Sequence, residues 1–532
     1  MTQMLALFPL VAPLALVLAS LLARREAGAR PRRLLIALRV ASVVAALAAV
    51  ATCIVAATSG TLTAILPGLG ALGFALRIDA LSAVMFGLVT FLGIVLVEYS
   101  RAYLDGDPRH GWFLAHLAQT VAAVQLLVLS GTLVQLAVMW TLTSLSLHRL
   151  LLFYPDRPAA VVAGRKKFVV ARLSDVALAA AAVLLATTFG TSELGELFAR
   201  INARLATGAV PAVLPLVAGL IVAAAALKSA QFPTHGWLAE VMETPTPVSA
   251  LLHAGILNGG VFLMARLSPV LMPVPGALHA MVLIGGFTAL FASLVMVTQP
   301  TIKGTFAYSS AAHMGFMMLL CGLGSWPLAM MHLVAHSFYK AHAFLSAGSA
   351  VEVMRASHVS GEAGSGGVLA ILAAFAVAVA TVVGVGALVG VSVTERPVSL
   401  GLASILAIGL TQLLAQATGD RPGLYVFGRT LLASAGTALA FFVLERAAIY
   451  VLRGSVPVVS LNDPVTIALM TGVIIAFALA ILWQLLLPRV VASHRWAGFW
   501  VLVRNGLYAN VLFDRLVGAL RPTNRAQTME RA

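Results

Sequence analysis

Apolar stretches of about 20 residues, each enough helix to cross a bilayer core, recur from one end of this chain to the other. Nothing else in the sequence limits its fold so strongly. In hydrocarbon every backbone N–H and C=O must be paired internally, which leaves helices or closed barrels. Barrel strands would show short alternating segments, and none appear. The sequence therefore predicts an all-α polytopic membrane protein with about fifteen transmembrane helices: 4–22, 34–58, 79–99, 111–130, 132–152, 168–189, 211–231, 246–267, 277–298, 302–323, 328–350, 368–392, 400–418, 430–452 and 466–488. Only 10% of the 532 residues are charged, and the mean hydropathy is +0.99.

The net charge of +15 does not indicate nucleic acid, because the basic residues sit in short loops between spans, as the positive-inside rule expects. Arg24, Arg25, Arg30, Arg32 and Arg33 lie between spans one and two. Arg149, Arg157, Arg165, Lys166, Lys167 and Arg172 surround the loop after span five. Alternating spans put both loops on one side, expected to be cytoplasmic, with the N-terminus outside and the C-terminus inside. The first stretch reads as a retained span, since no cleavage site follows it. The tail from 494 interleaves aromatics with Arg and reads as an amphipathic segment along the inner interface, interrupted by Arg504, Asn505, Asn510 and Asp514. The longest polar loops, near 190–210, 351–367 and 453–465, are too short to fold alone, so chemistry on a soluble substrate would need a partner. Cys53 and Cys321 lie in apolar runs without metal-ligand spacing and read as inert thiols. No cofactor is expected in this chain.

Within this hydrocarbon-like chain, residues 228–266 stand apart: KSAQFPTHGWLAEVMETPTPVSALLHAGILNGGVFLMAR. Lys228 ends an apolar run, Pro233 removes a backbone donor, and TPTP at 244–247 makes a second break before a helix carrying His253. Ionisable groups within spans are costly and mark ion or substrate routes, and broken helices at membrane depth line cavities. A lysine snorkelling to the interface is the bland alternative. Carboxylates near enough to serve Lys228 are Glu240, Glu243 and Asp175. A second group is His332, His336 and Lys340, spaced by four residues on one helical face, which suits a proton relay. Zinc would need further ligands that the spacing does not supply, and a structural His pair is the other alternative. Lys303, with Tyr308, Ser309, Ser310 and His313, forms a third group, where interface snorkelling is a fair reading. Asp175, with Arg172 and Ser174, forms a fourth, where an i,i+3 ion pair would suffice. Of the five Lys, three (228, 303 and 340) fall in or beside spans, where a titratable amine is more useful than a guanidinium.

These motifs resemble the antiporter-like subunits of respiratory complex I and the large Mrp cation/proton antiporter subunit. The likeness runs through KSAQFPTHGWLAEVMETPTPVSALLHA, IKGTFAYSSAAHMGFM, HLVAHSFYKAHAFLSAGS, FVVARLSDV and RIDALSAVMFGLVTFLGIVLVEYSRAY, roughly residues 75–350. It implies two inverted five-helix repeats with broken helices, spanning 76–267 and 268–420. Peripheral helices would lie at 1–75, further spans at 421–490 and the tail at 491–532. It also implies an ion route through Lys228, His253, His332, His336, Lys340, Lys303, Asp175 and Glu240. Two departures stand out. The family's Trp-Glu pair on span five is Trp140-Thr141 here, and no Lys follows Lys340. These departures, with SLHRLLLFYPDRP and the short chain, resemble the DabB-type membrane subunit of bacterial inorganic carbon uptake complexes. That resemblance implies a transporter subunit in the inner membrane, not an enzyme. It would conduct protons or Na+ for a large soluble zinc-containing DabA-type partner, similar to a β-carbonic anhydrase. A cation/proton antiporter subunit, or a pump subunit of a complex I-like or hydrogenase-like machine, is the alternative. A bare membrane anchor would leave the buried Lys and His groups without purpose.

Overall fold

The structure is a computed structural model that describes residues 2–66, 69–70, 73–208, 210–348, 368–390, 397–417, 424–457, 463–491 and 496–517. In chain order the spans are α1 (Leu5–Arg24), α2 (Arg32–Ser59), α3 (Ala80–Tyr103), α4 (His110–Val128), α5 (Leu133–Leu151) and α6 (Pro158–Phe189). A short helix α7 (Leu194–Ala206) leads to α8 (Leu214–Lys228), and a one-turn helix α9 (Gly236–Glu240) leads to α10 (Thr246–Arg266). There follow α11 (Pro275–Met296), α12 (Ile302–Gly322), α13 (Trp326–Leu345), α14 (Val368–Leu388), α15 (Pro397–Ala417), α16 (Leu424–Val451) and α17 (Pro464–Val491). The tail holds α18 (Ala497–Arg504) and α19 (Ala509–Val517). The expected spans correspond to α1–α6, α8 and α10–α17.

Local chemistry sets the ends. The side chains of Asp79, Thr132 and Thr301 accept from the backbone N–H of Ser82, Gln135 and Gly304, capping α3, α5 and α12. Pro158 and Pro275 open α6 and α11 in the first turn. Gly190, at φ +66°, closes α6 in the left-handed conformation. Among the described residues ten helices are long and apolar enough to cross a membrane. The spans α5, α12 and α13 are of spanning length but more polar, because they carry the side chains of the candidate site. Close helix contact holds that region. A Cβ on Gly285 would fall 2.5 Å from the Gly315 carbonyl oxygen, so α11 and α12 meet backbone to backbone. The principal core runs through α1–α13, and a smaller one joins α14–α17.

Beside the helices the fold has one short hairpin: Leu62–Ile65 (β1) and Ala75–Ile78 (β2) pair antiparallel, with Leu62 opposite Ile78. Two expectations need correction. The polar stretch near 190–210 is not a plain loop but contains α7, which buries Leu194, Leu197 and Ile201. Helix α6 begins ten residues before the expected 168, so Lys166 and Lys167 are helical and buried, not loop residues. The break expected in the first repeat is present between α8 and α9, whereas the described spans of the second repeat run uninterrupted. The 351–367 loop and residues 458–462 lie outside the described residues.

One buried ion cluster ties the hairpin to the end of α10. The Arg266 guanidinium donates to both oxygens of Asp79, at 3.1 Å for Nη2 to Oδ1, and to Ser82 Oγ at 2.7 Å. Arg77 Nε donates to Asp79 Oδ2 at 2.8 Å. Burial alone would raise the Asp79 carboxyl, but Arg266, Arg77 and the Ser82 amide outweigh it and hold it well below the usual carboxylate range. The carboxylate's contribution is thus present at neutral pH and lost only as the medium turns strongly acidic. Asp79→Ala leaves Arg266 buried and uncompensated, at a cost of about 3–5 kcal/mol. Thermal unfolding in detergent should show a large drop in midpoint. A midpoint equal to that of the unaltered protein would mean the cluster contributes nothing to stability.

Candidate ion-translocation site

Pro233 and the residues around it end α8 just past Lys228, so the lysine occupies the last turn, where helix carbonyls lack partners and favour a cation. Lys228 is buried. Its Nζ donates to the Trp140 carbonyl oxygen at 3.2 Å and lies 4.4 Å from the centre of the indole ring. Trp140 is fixed in turn: Nε1 donates to Ser174 Oγ at 3.1 Å, and Ser174 donates to the Ala224 carbonyl at 2.8 Å, one turn before Lys228. The carboxylate whose field reaches Lys228 is Asp175 of α6. Asp175 pairs with Arg172 at 2.6 Å and interacts with the Thr141 hydroxyl. With no acid at position 141, a main-chain oxygen and an aromatic face hold the lysine, and the acid stands on a neighbouring helix.

The second cluster lies between α10, α12 and α13. His253 Nδ1 is 2.8 Å from Ser310 Oγ, and its ring stacks on Phe344 at 4.5 Å. Lys340 is buried, and its Nζ donates to Ser309 Oγ at 2.9 Å and to the Phe306 carbonyl at 3.2 Å. His313 Nδ1 is 2.9 Å from His332 Nε2, and the His336 ring sits 4.8 Å from that of His313. Both ring nitrogens of His336 are buried without a partner among the described residues. His313 and His332 border a partly open cavity of about 610 Å³ that reaches Leu402, Leu410, Thr437 and Phe477. Hydroxyls and imidazoles within one hydrogen-bond length of each other, beside an amine, can pass protons along a helix pair. No three or more His, Cys, Asp or Glu residues are grouped to hold a metal among the described residues.

The structure regroups the residues singled out in the sequence. Lys228 and His253 do not form a pair. Leu252, Ile256 and Leu257 of α10 face Lys228, whereas His253 faces α12 and α13. Glu240 is not a partner of Lys228, because both its oxygens are taken by Lys166 at 2.5 Å. Lys303 is half-buried in a surface cleft with Tyr103, Arg157 and Glu243, away from the buried line. His313 moves out of the Lys303 group and joins His332 and His336. Lys167 reads as a loop charge in the sequence. It lies inside α6, 5% exposed, with Nζ donating to the Ser144 carbonyl at 2.7 Å and to Ser144 Oγ at 2.9 Å. Pro158, a first-turn residue with no further Pro before the helix ends at Phe189, is the sequence signal that places both lysines in the helix.

The tail is fastened to the helices that carry the site. Asn510 donates to Glu240 at 2.5 Å, and Asp514 of α19 pairs with Lys166, so the residues that read as interruptions of a span fasten the tail. Arg157 adds a 3.3 Å contact to Glu243. The tail, the loop after α5 and the link between α8 and α10 therefore share one face.

The fold and these clusters define an antiporter-like membrane subunit, and comparison with known proteins agrees. The family described as "NADH:quinone oxidoreductase/Mrp antiporter, TM" matches residues 130–394, and "NADH-Ubiquinone oxidoreductase (complex I), chain 5 N-terminus" matches 68–114. The solved Mrp complex of Dietzia sp. DQ12-45-1b shares the fold, with a TM-score of 0.64 and 22% identity over 98% of this chain and 60% of that one. Within that class the similarity narrows. The probable inorganic carbon transporter subunit DabB2 of Halothiobacillus neapolitanus is 37% identical over 459 residues, which is 84% of this chain and 81% of that one. The probable subunit DabB of Hydrogenovibrio crunogenus is 43% identical over 277 residues, 52% of this chain and 53% of that one. The chain belongs to the DabB-type branch of the antiporter-like superfamily.

Lys166→Met would leave Glu240 and Asp514 facing each other without a cation. The expected cost is about 3 kcal/mol, enough to release the tail. Limited proteolysis should then cut near 505–508 at least tenfold faster than in the unaltered chain. Equal cutting rates would show that the ion cluster does not hold the tail.

Proposed function

We propose that this chain is the membrane subunit of an energy-coupled inorganic carbon pump, conducting protons or Na+ to drive a soluble zinc-containing partner. The reading is supported by its similarity to the probable inorganic carbon transporter subunits of the DabB type. The observation that carries the conducting part is the pair of amines, Lys228 and Lys340, buried in spans and hydrogen-bonded, among the described residues, to carbonyls and a hydroxyl beside aromatic rings. A cation entering from the side opposite the basic loops passes the His332/His313/His336/Lys340 cluster and His253, crosses α10 to Lys228 and leaves on the basic face. That face is the cytoplasmic side of the inner membrane, so the N-terminus is outside and the tail inside. The partner, similar to a β-carbonic anhydrase, docks there against the basic loops. Gating of the zinc site by the charge delivered on that face makes bicarbonate accumulation one-way. The zinc chemistry belongs to the partner.

The second reading is a cation/proton antiporter subunit or a pump subunit of a redox complex, and the fold likeness to the Mrp complex favours it. A pull-down of the tagged protein in mild detergent separates the two. A single large zinc protein at comparable yield is the expected result. Several small hydrophobic or redox subunits without it would move the assignment to the second reading.

Transport should respond to single changes in a definite order. Lys228→Ala and His336→Ala should bring labelled bicarbonate uptake at least tenfold down while the protein still inserts. Lys303→Ala, in its surface cleft, should cost about twofold. Wild-type uptake by the first two variants at normal abundance would remove the route assigned here.

A further inference from the structure

The geometry points to Lys167 and His148 as the continuation of the proton route beyond Lys228, running along α5 to the basic face. This inference rests on the conducting role proposed above and adds its exit. Trp140, Ser144 and His148 are spaced by four residues, so they stand on successive turns of one face of α5 (Leu133–Leu151). The Trp140 carbonyl holds Lys228, and Ser144 holds Lys167 one turn on. His148, a further turn toward the Arg149–Arg157 loop, lies within electrostatic reach of Lys167. The ring of His148 is 5.1 Å from that of Phe168, and its Nδ1 is buried with no partner among the described residues.

A cavity of about 10 Å³ is lined by both lysines, with Leu147, Val170, Leu227 and Ile256 around them. It has room for a single water. The charged groups that act on Lys167 are Lys228 of α8 and Arg172 and Asp175 of its own helix; those acting on His148 are Lys167 and Arg172. Two amines in one low-dielectric pocket repel when both carry charge, so a proton arriving at Lys228 promotes release from Lys167. The balance closes at each step. The Lys228 ammonium gives one proton to the water, and the water gives one to the neutral Lys167 amine. Lys167 then swings from Ser144 and gives one proton to Nδ1 of His148; His148 releases one proton to water on the basic face and Lys228 takes up the next from the entry side, so each carrier returns to its starting form. Nothing is oxidised or reduced. An acid at position 141 is unnecessary on this route, because a second amine receives the proton.

The test uses the intact purified complex in liposomes holding a pH-sensitive dye, with a potassium diffusion potential as driving force. Wild type should show proton flux, and Lys228→Ala should abolish it. Lys167→Met should lower flux at least tenfold and His148→Gln at least fivefold. Lys167→Arg should stay as low as Lys167→Met, since a guanidinium keeps the charge and donors but does not release a proton. Full flux through Lys167→Arg would make position 167 a fixed charge and overturn the relay. So would flux within twofold of wild type in both Lys167→Met and His148→Gln while Lys228→Ala is dead, since the exit would then lie elsewhere. Potential-driven Na+ movement with no proton flux would also overturn the relay, yet leave the conducting role standing. Absence of either flux in wild type would remove the conducting role itself.

Discussion

The cost of a charge in hydrocarbon shapes this molecule. A lone ammonium at membrane depth must find oxygen atoms, a π-face or an opposite charge, and each of these has to be carried in on a helix. Ending α8 at Lys228 supplies part of the answer, since the last turn of a helix has carbonyls to spare. Helix α5 supplies the rest through the Trp140 carbonyl and indole, and α6 braces that indole through Ser174. The same logic surrounds Lys340, where the Phe306 carbonyl and Ser309 hydroxyl of α12 do the holding. Polar helices such as α5, α12 and α13 therefore gather around these amines, and more apolar ones such as α2, α16 and α17 face outward.

The presence of Thr141, not an acid, on α5 shapes how this site works. An acid on α5 would form a direct ion pair with Lys228. Here the carboxylate stands on α6, shared with Arg172 and Thr141, and the lysine's nearest oxygen is uncharged. A lysine held by a neutral carbonyl gives up its place more readily than one locked to a carboxylate, because charge-assisted hydrogen bonds are the stronger ones. Under the conducting role proposed above, the arrangement favours movement of a proton through the site over storage of a charge within it.

Hydropathy made the spans legible, because a length of about 20 apolar residues is a physical requirement of the bilayer. Lys228, Lys340 and the His332/His336 pair stood out for the same reason. What the sequence hid was company. His253 is 25 positions from Lys228, yet α10 turns it toward Ser310. His313 meets His332 only because α12 and α13 lie side by side. Counting basic residues as loop markers misplaced Lys166 and Lys167, since the rule reads charge and not the helix start at Pro158. The tail was legible as amphipathic, but its docking on Lys166 and Glu240 depends on a fold that brings residue 514 beside residue 166.

The polarity of α5, α12 and α13 bears on how the chain enters the membrane during synthesis. A segment burdened with His, Lys and Ser partitions poorly from the translocon into lipid by itself. Helices α11 and α12 are joined by a short connection and meet backbone to backbone at Gly285 and Gly315, so the apolar α11 can carry its polar neighbour across as a hairpin. The groups suited to moving ions in the finished protein would thus set the order of its insertion, with each costly helix waiting at the channel wall until an oily companion arrives.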